Sequence, residues 1–83
     1  MRSKKLSDPK VFSDPERQKI HDTLMLTRDA LTEKGYNPQS QMGLYLVTED
    51  ESYITMYNNA RKALSELDRT DVLNHLLTYY FEN

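Results

Sequence analysis

Apolar positions along this chain repeat at helical rather than strand spacing. Between Asp14 and Lys34, Ile20, Leu24, Thr27 and Leu31, with Ala30 beside them, fall three or four residues apart, which puts them on one stripe of a helix. Asp14 can accept hydrogen bonds from the first free amides, and Pro15 suits the first helical position, where an N–H is not needed. Gly35 suits the left-handed residue that ends a helix, and Lys34 lies at its negative pole.

Asn37-Pro38 restarts the chain as a cap followed by a pre-set first turn, and a second helix is expected over 38–48. Its apolar residues, Met42, Tyr45 and Leu46 flanked by Leu44 and Val47, cover more than one side. Such a helix is expected to be central in the packing. Thr48 to Ser52 is acidic and polar and reads as a loop or a capping segment, while Tyr53, Ile54 and Tyr57 can pack back on the core in helical or extended form. Asn58 or Asn59 is placed to cap a third helix that buries Ala63, Leu64 and Leu67, with Ala60 just before.

Asp68 and Asp71 mark the start of a last helix over Arg69 to Phe81. Its apolar face holds Val72, Leu73, Leu76, Leu77 and Tyr80, and Tyr79 and Phe81 widen it beyond what one small domain needs. Leu76, Tyr79, Tyr80 and Phe81 therefore either close the core or form a dimer seam. The pattern as a whole predicts an all-α fold, a compact bundle of four to five short helices with a helix-turn-helix-like arrangement as one option. One helical domain is expected over 14–83.

Residues 1–13 stand apart. They carry four basic groups and one acid, contain Pro9 and show no periodicity, so they read as a flexible basic arm. Composition then narrows the function classes. The chain has 83 residues, enough for one domain with a modest core that oligomerisation would support. It has no cysteine, which excludes disulfides, thiolate metal sites and thiol nucleophiles. No apolar run matches a signal peptide or a membrane span, so a cytoplasmic protein without membrane insertion is expected. Eleven basic against thirteen acidic residues give a net charge of -2, which argues against a generally basic surface for nucleic acid.

Catalytic chemistry finds little foothold. His21 and His75, the only imidazoles, flank the apolar stripe residues Ile20 and Leu76, so each is expected at the edge of a helical face, in water. No metal site is expected from them, because ligands must converge in threes and fours. Thr23, Thr27 and Ser65 lack an evident base. Glu49, Asp50 and Glu51 lack the alternating oxygens and glycine of a calcium loop. Gly35 and Gly43 cannot make a phosphate cradle. The chain is expected to be no enzyme and to hold no cofactor. A small DNA-binding transcriptional regulator is the alternative from another class: Asn58, Asn59, Arg61 and Lys62 are suitable donors, opposed by Glu66, Asp68 and Asp71 close behind.

The run Glu33-Lys34-Gly35-Tyr36-Asn37-Pro38, followed by Gln41, Gly43, Tyr45-Leu46, Tyr53-Ile54, Asn59-Ala60-Arg61, Leu67, Arg69 and a terminal LLTYYF, resembles the IreB family of small regulatory phosphoproteins from Gram-positive bacteria. The similarity covers roughly residues 17 to 81. Within it, Gly35, Tyr36, Asn37 and Pro38 read as structural: a helix exit, a core-facing ring and a helix start.

The resemblance implies a non-enzymatic homodimer that is a substrate of a membrane Ser/Thr kinase with extracellular PASTA repeats and acts in cell-envelope and antibiotic-stress signalling. It also implies a link to a protease-system component, because related members influence ATP-dependent proteolysis of an enzyme that commits precursors to peptidoglycan. The family's phosphoacceptor is an arm threonine ahead of a Met and aromatics. Here only Phe12 matches that motif, which leaves Ser7 and Ser13 as candidate phosphorylation sites. Along the third helix Arg61 and Arg69 match the family's basic surface and Lys62 adds to it, so these three are the partner-binding candidates. Met56, Ser65 and Glu66 stand where a basic residue is usual.

Overall fold

The computed structural model describes residues 14–82 and is all-helical over them. The order is α1 (Asp14–Glu33), α2 (Pro38–Thr48), a 3-10 turn (Glu51–Tyr53), a second 3-10 turn (Tyr57–Asn59), α3 (Ala60–Ser65) and α4 (Arg69–Glu82). The expected bundle and its helix bounds are present. The flexible-arm reading of 1–13, with Ser7, Phe12 and Ser13, lies outside the described residues.

The predicted stripe of α1 is the spine of the core. Ile20, Leu24, Thr27, Ala30 and Leu31 are all buried, and Thr27 satisfies its hydroxyl by donating to the Thr23 carbonyl one turn earlier at 2.8 Å. Leu31 shares one core cluster with three other large side chains that are almost fully shielded, each from a different segment: Ile54 of the inter-turn link, Leu64 of α3 and Val72 of α4. Burying a side chain of this size contributes about 1.5–3 kcal/mol. Ile54 has extended backbone (φ -109, ψ 126), which resolves the open reading of the 53–57 stretch: a short turn delivers one aliphatic plug to the centre.

The helix ends follow from local chemistry. Gly35 is left-handed (φ 86), its N–H donates to the Thr32 carbonyl at 3.0 Å, and the Tyr36 N–H donates to the Leu31 carbonyl at 2.9 Å. These two bonds close α1 as a Schellman motif. Asn37 caps α2 as its sequence suggests, accepting from the Ser40 N–H at 2.9 Å. Asp50 accepts from the Ser52 N–H at 3.0 Å, and Asp68 accepts from the Thr70 N–H at 2.8 Å. The hydrogen bonds from Ser52 hold the Asp50 carboxyl below its usual range. At the far end of α2 an Arg69 clasp closes the helix: its guanidinium donates to the Leu46 carbonyl and pairs with Glu49, itself left-handed (φ 63).

Three expectations need correction. The α2 helix is not central: only Tyr45 is buried on it, Met42 and Leu46 are half-buried, and Leu44 and Val47 face outward. Tyr36 is not a core-facing ring but 52% exposed, because the Schellman bond that fixes its amide turns the chain away from the core at that residue. Asn59 occupies the position before α3, yet its side chain caps nothing, since it and Asn58 are both left-handed (φ 64 and 55).

Candidate protein-interaction surfaces

The largest departure from the sequence expectation is in α4, and it concerns which side of the helix faces in. Val72 is 1% exposed and anchors the first turn. Beyond it the side turned toward the molecule carries His75 and Thr78, both half-buried and polar. Leu73, Leu76, Leu77 and Tyr80, expected as the buried face, are exposed, as are Tyr79 and Phe81. Tyr80 and Phe81 are 76% and 75% exposed and touch each other edge to face, ring centroids 5.8 Å apart. The stripe at 73, 76, 77 and 80 has the three-four spacing of a helix–helix seam, yet Leu73 and Leu76 are 40% exposed, Leu77 51% and Tyr80 76%. Among the described residues these side chains are therefore exposed rather than buried.

Beside this stripe lies an apolar groove of about 390 Å³, lined by Leu24 and Met25 of α1, Met42, Gly43 and Leu46 of α2, and Leu76 of α4. The Gly43 position is open: a Cβ built there would meet nothing within 4 Å. Groove and stripe are continuous through Leu76. Together they form an apolar surface of the kind that marks an interaction site on a small soluble protein.

The basic candidates divide. Arg61 and Lys62, from the first turn of α3, line one depression with Met56 and Asn59, whereas Arg69 is committed to the α2 clasp. Arg61 is anchored through its Nε, which donates to the Ile54 carbonyl at 2.8 Å and so ties α3 to the buried plug. The donors invoked for a DNA-reading helix sit at a six-residue α3 preceded by two left-handed asparagines, each costing on the order of 1 kcal/mol in backbone strain. His75 is held below its ordinary range by partial burial first, then by His21 and Arg17 on α1. It is more buried than the sequence suggested, while His21 is exposed. No group of three or more His, Asp or Glu able to hold a metal occurs among the described residues. No helix among them is long and apolar enough to cross a membrane.

Sequence reasoning passed over Lys34, Met56 and Tyr57 as site residues. Lys34 Nζ lies 5.2 Å from the centre of the Tyr57 ring, and the Tyr57 hydroxyl reaches Glu33 Oε2 at 3.2 Å, which raises the phenol's pKa. The signal available was Asn58-Asn59, a pair tolerant of left-handed backbone and hence of a sharp turn back toward the α1 end.

Comparison with known proteins adds independent findings. The family model described as IreB regulatory phosphoprotein matches residues 10–82. A UPF0297 protein of Ruminiclostridium cellulolyticum is 40% identical over 74 residues, covering 89% of this chain and 83% of that protein. UPF0297 proteins of Clostridioides difficile and Lachnoclostridium phytofermentans are 40% and 39% identical over 65 and 64 residues, covering 78% and 77% of this chain and 76% and 73% of theirs.

Proposed function

Since the chain belongs to the IreB family of regulatory phosphoproteins, we propose that it is a non-enzymatic cytoplasmic regulator that works as a homodimer through protein contacts. The observation that carries this reading is the apolar stripe of α4, exposed among the described residues and running into the groove between α1 and α2. One surface holds both a ridge and a groove, so a second copy related by a two-fold axis meets its own complement. A small core gives such a domain reason to bury further apolar area in this way.

In this reading the cell-envelope role and the place downstream of a membrane Ser/Thr kinase rest on the family. Ser7 or Ser13 receives the phosphoryl group, and the partner is a component of a protease system. Arg61 and Lys62 face that partner, while Arg69 acts indirectly by fixing the end of α2. Sedimentation equilibrium at tens of micromolar tests the dimer: a dimer that Leu77→Glu converts to a folded monomer is expected, and a monomeric unmodified protein contradicts the proposal. Phosphopeptide mapping of residues 1–14 after incubation with the kinase domain tests the modification, expected at Ser7 or Ser13. A chain left unmodified there contradicts that part of the reading.

A further inference from the structure

A concavity of about 550 Å³ lies between the end of α1 and the turns that lead into α3. Lys34 and Arg61 are among its lining residues, Tyr36, Tyr53, Met56 and Tyr57 supply aromatic and thioether surface, and no acidic residue lines it. A second depression of about 290 Å³ adjoins it through the shared residues Met56 and Arg61, and adds Lys62 with Glu51.

Three features single this cleft out. The first is charge. Lys34, Arg61 and Lys62 form no salt bridge among the described residues, whereas Arg28 and Arg69 are paired with Asp29 and Glu49. Three cations outside any salt bridge, around a cleft with no acidic lining residue, are notable in a chain of net charge -2, with Asp50 within electrostatic range of Arg61 and Glu51 in the adjoining depression as the nearest opposing charges. The second is preorganisation. Arg61 is held through Nε by the Ile54 carbonyl, which orients the guanidinium and leaves its terminal nitrogens unbonded among the described residues, and Gln41 Nε2 donates to the Tyr53 carbonyl at 3.0 Å, fixing the opposite wall. The third is exposed apolar surface at the rim: Met56 is 70% exposed, and Tyr36 and Tyr57 stand out with it. The left-handed pair Asn58 and Asn59 shapes the turn between Tyr57 and Arg61.

We propose that this cleft binds an acidic, extended segment of a partner protein, a carboxylate lying between Lys34 and Arg61 and a flanking apolar side chain resting on Tyr36 and Met56. The proposal rests on the reading of the protein as a regulator that acts through protein contacts, and it names the chemistry of the partner at a surface separate from the α4 stripe. Two lysines and an arginine without salt-bridge partners among the described residues supply charge complementarity, and the rim of tyrosines and methionine supplies contact area at small entropic cost.

The test uses the full-length protein, isotope-labelled, titrated with a short synthetic peptide that alternates Asp and Glu with Leu and Phe. Its Asn/Gln isostere and a single-stranded oligonucleotide of equal charge serve as comparators. Saturable amide shifts at Lys34 to Tyr36 and Met56 to Arg61, absent with the neutral isostere and reduced at high salt, are expected. Changing the two exposed lysines together, Lys34→Gln and Lys62→Gln, should weaken binding about tenfold, the factor that corresponds to about 1.4 kcal/mol. Unchanged helical circular dichroism checks the fold of that variant. Shifts confined to the α4 surface, equal binding of the neutral peptide, or preference for the oligonucleotide overturns the proposal. A dimer that ignores the acidic peptide defeats this inference and leaves the proposed function standing, whereas a monomer that binds it in the cleft does the reverse.

Discussion

The two ends of this small domain treat the same residue types in opposite ways. Where α1, α3 and the Ile54 link meet, Leu31, Ile54 and Leu64 are shielded from water, and the fully buried Thr27 hydroxyl is satisfied one turn back on its own helix. Along α4, leucines and aromatics at equally regular spacing lie open, and the helix turns His75 and Thr78 toward its own domain. The first arrangement is a core that one chain completes. The second is an apolar face left exposed among the described residues, so apolar periodicity alone does not say that a face is buried within its own chain.

Substitutions at the two ends should separate them, beginning with the largest expected effect. Leu31→Ala removes a fully buried side chain and should cost about 2–5 kcal/mol in urea unfolding. That loss should be independent of protein concentration, whereas losses from changes on the α4 stripe should depend on it. Next in size, Arg69→Ala deletes the charged donor to the Leu46 carbonyl and the Glu49 pair. It should cost about 1–3 kcal/mol and fray the end of α2 in amide exchange.

Gly43→Ala sharpens the contrast, because its added methyl meets open space in one chain. Replacing a helical glycine should stabilise the monomer by about 0.5–1 kcal/mol while weakening self-association, if the groove is filled by a second copy. An unchanged dimer affinity removes Gly43 from the interface.

The smallest effect concerns pH. The folded state depresses the pKa of His75, so below the ordinary range near pH 6.5 the unfolded chain binds more protons than the native one. Stability should therefore be unaffected well above that pH and fall as pH drops through it, down to the lower native pKa. His75→Gln should flatten this segment of the pH profile in thermal unfolding.

Legibility in the sequence followed the range of the interactions. The α1 stripe, the Gly35 stop and the Asn37 and Asp68 caps were all readable, because spacing and local hydrogen bonding within a few residues decide them. The last helix was equally readable as a helix, but its orientation was not. A stripe at 73, 76, 77 and 80 looks the same whether its partner is in the same chain or another. Ile54 could be named as a residue that packs back on the core, but its backbone form stayed open because a single buried residue in a short turn has no period to reveal it. The cationic cleft was the least legible, since residues 34 to 36 and 53 to 61 meet only after Gly35 and the left-handed asparagines have turned the chain.

The central claim is that a second copy of the chain covers the α4 stripe. Isotope-filtered NMR on a sample mixing labelled and unlabelled protein tests it most directly. The account predicts intermolecular contacts joining Leu73, Leu77 and Tyr80 to Leu24, Met42, Leu46 or the same α4 residues of the second copy. A monomer under those conditions, or a dimer whose intermolecular contacts leave α4 untouched, would contradict it.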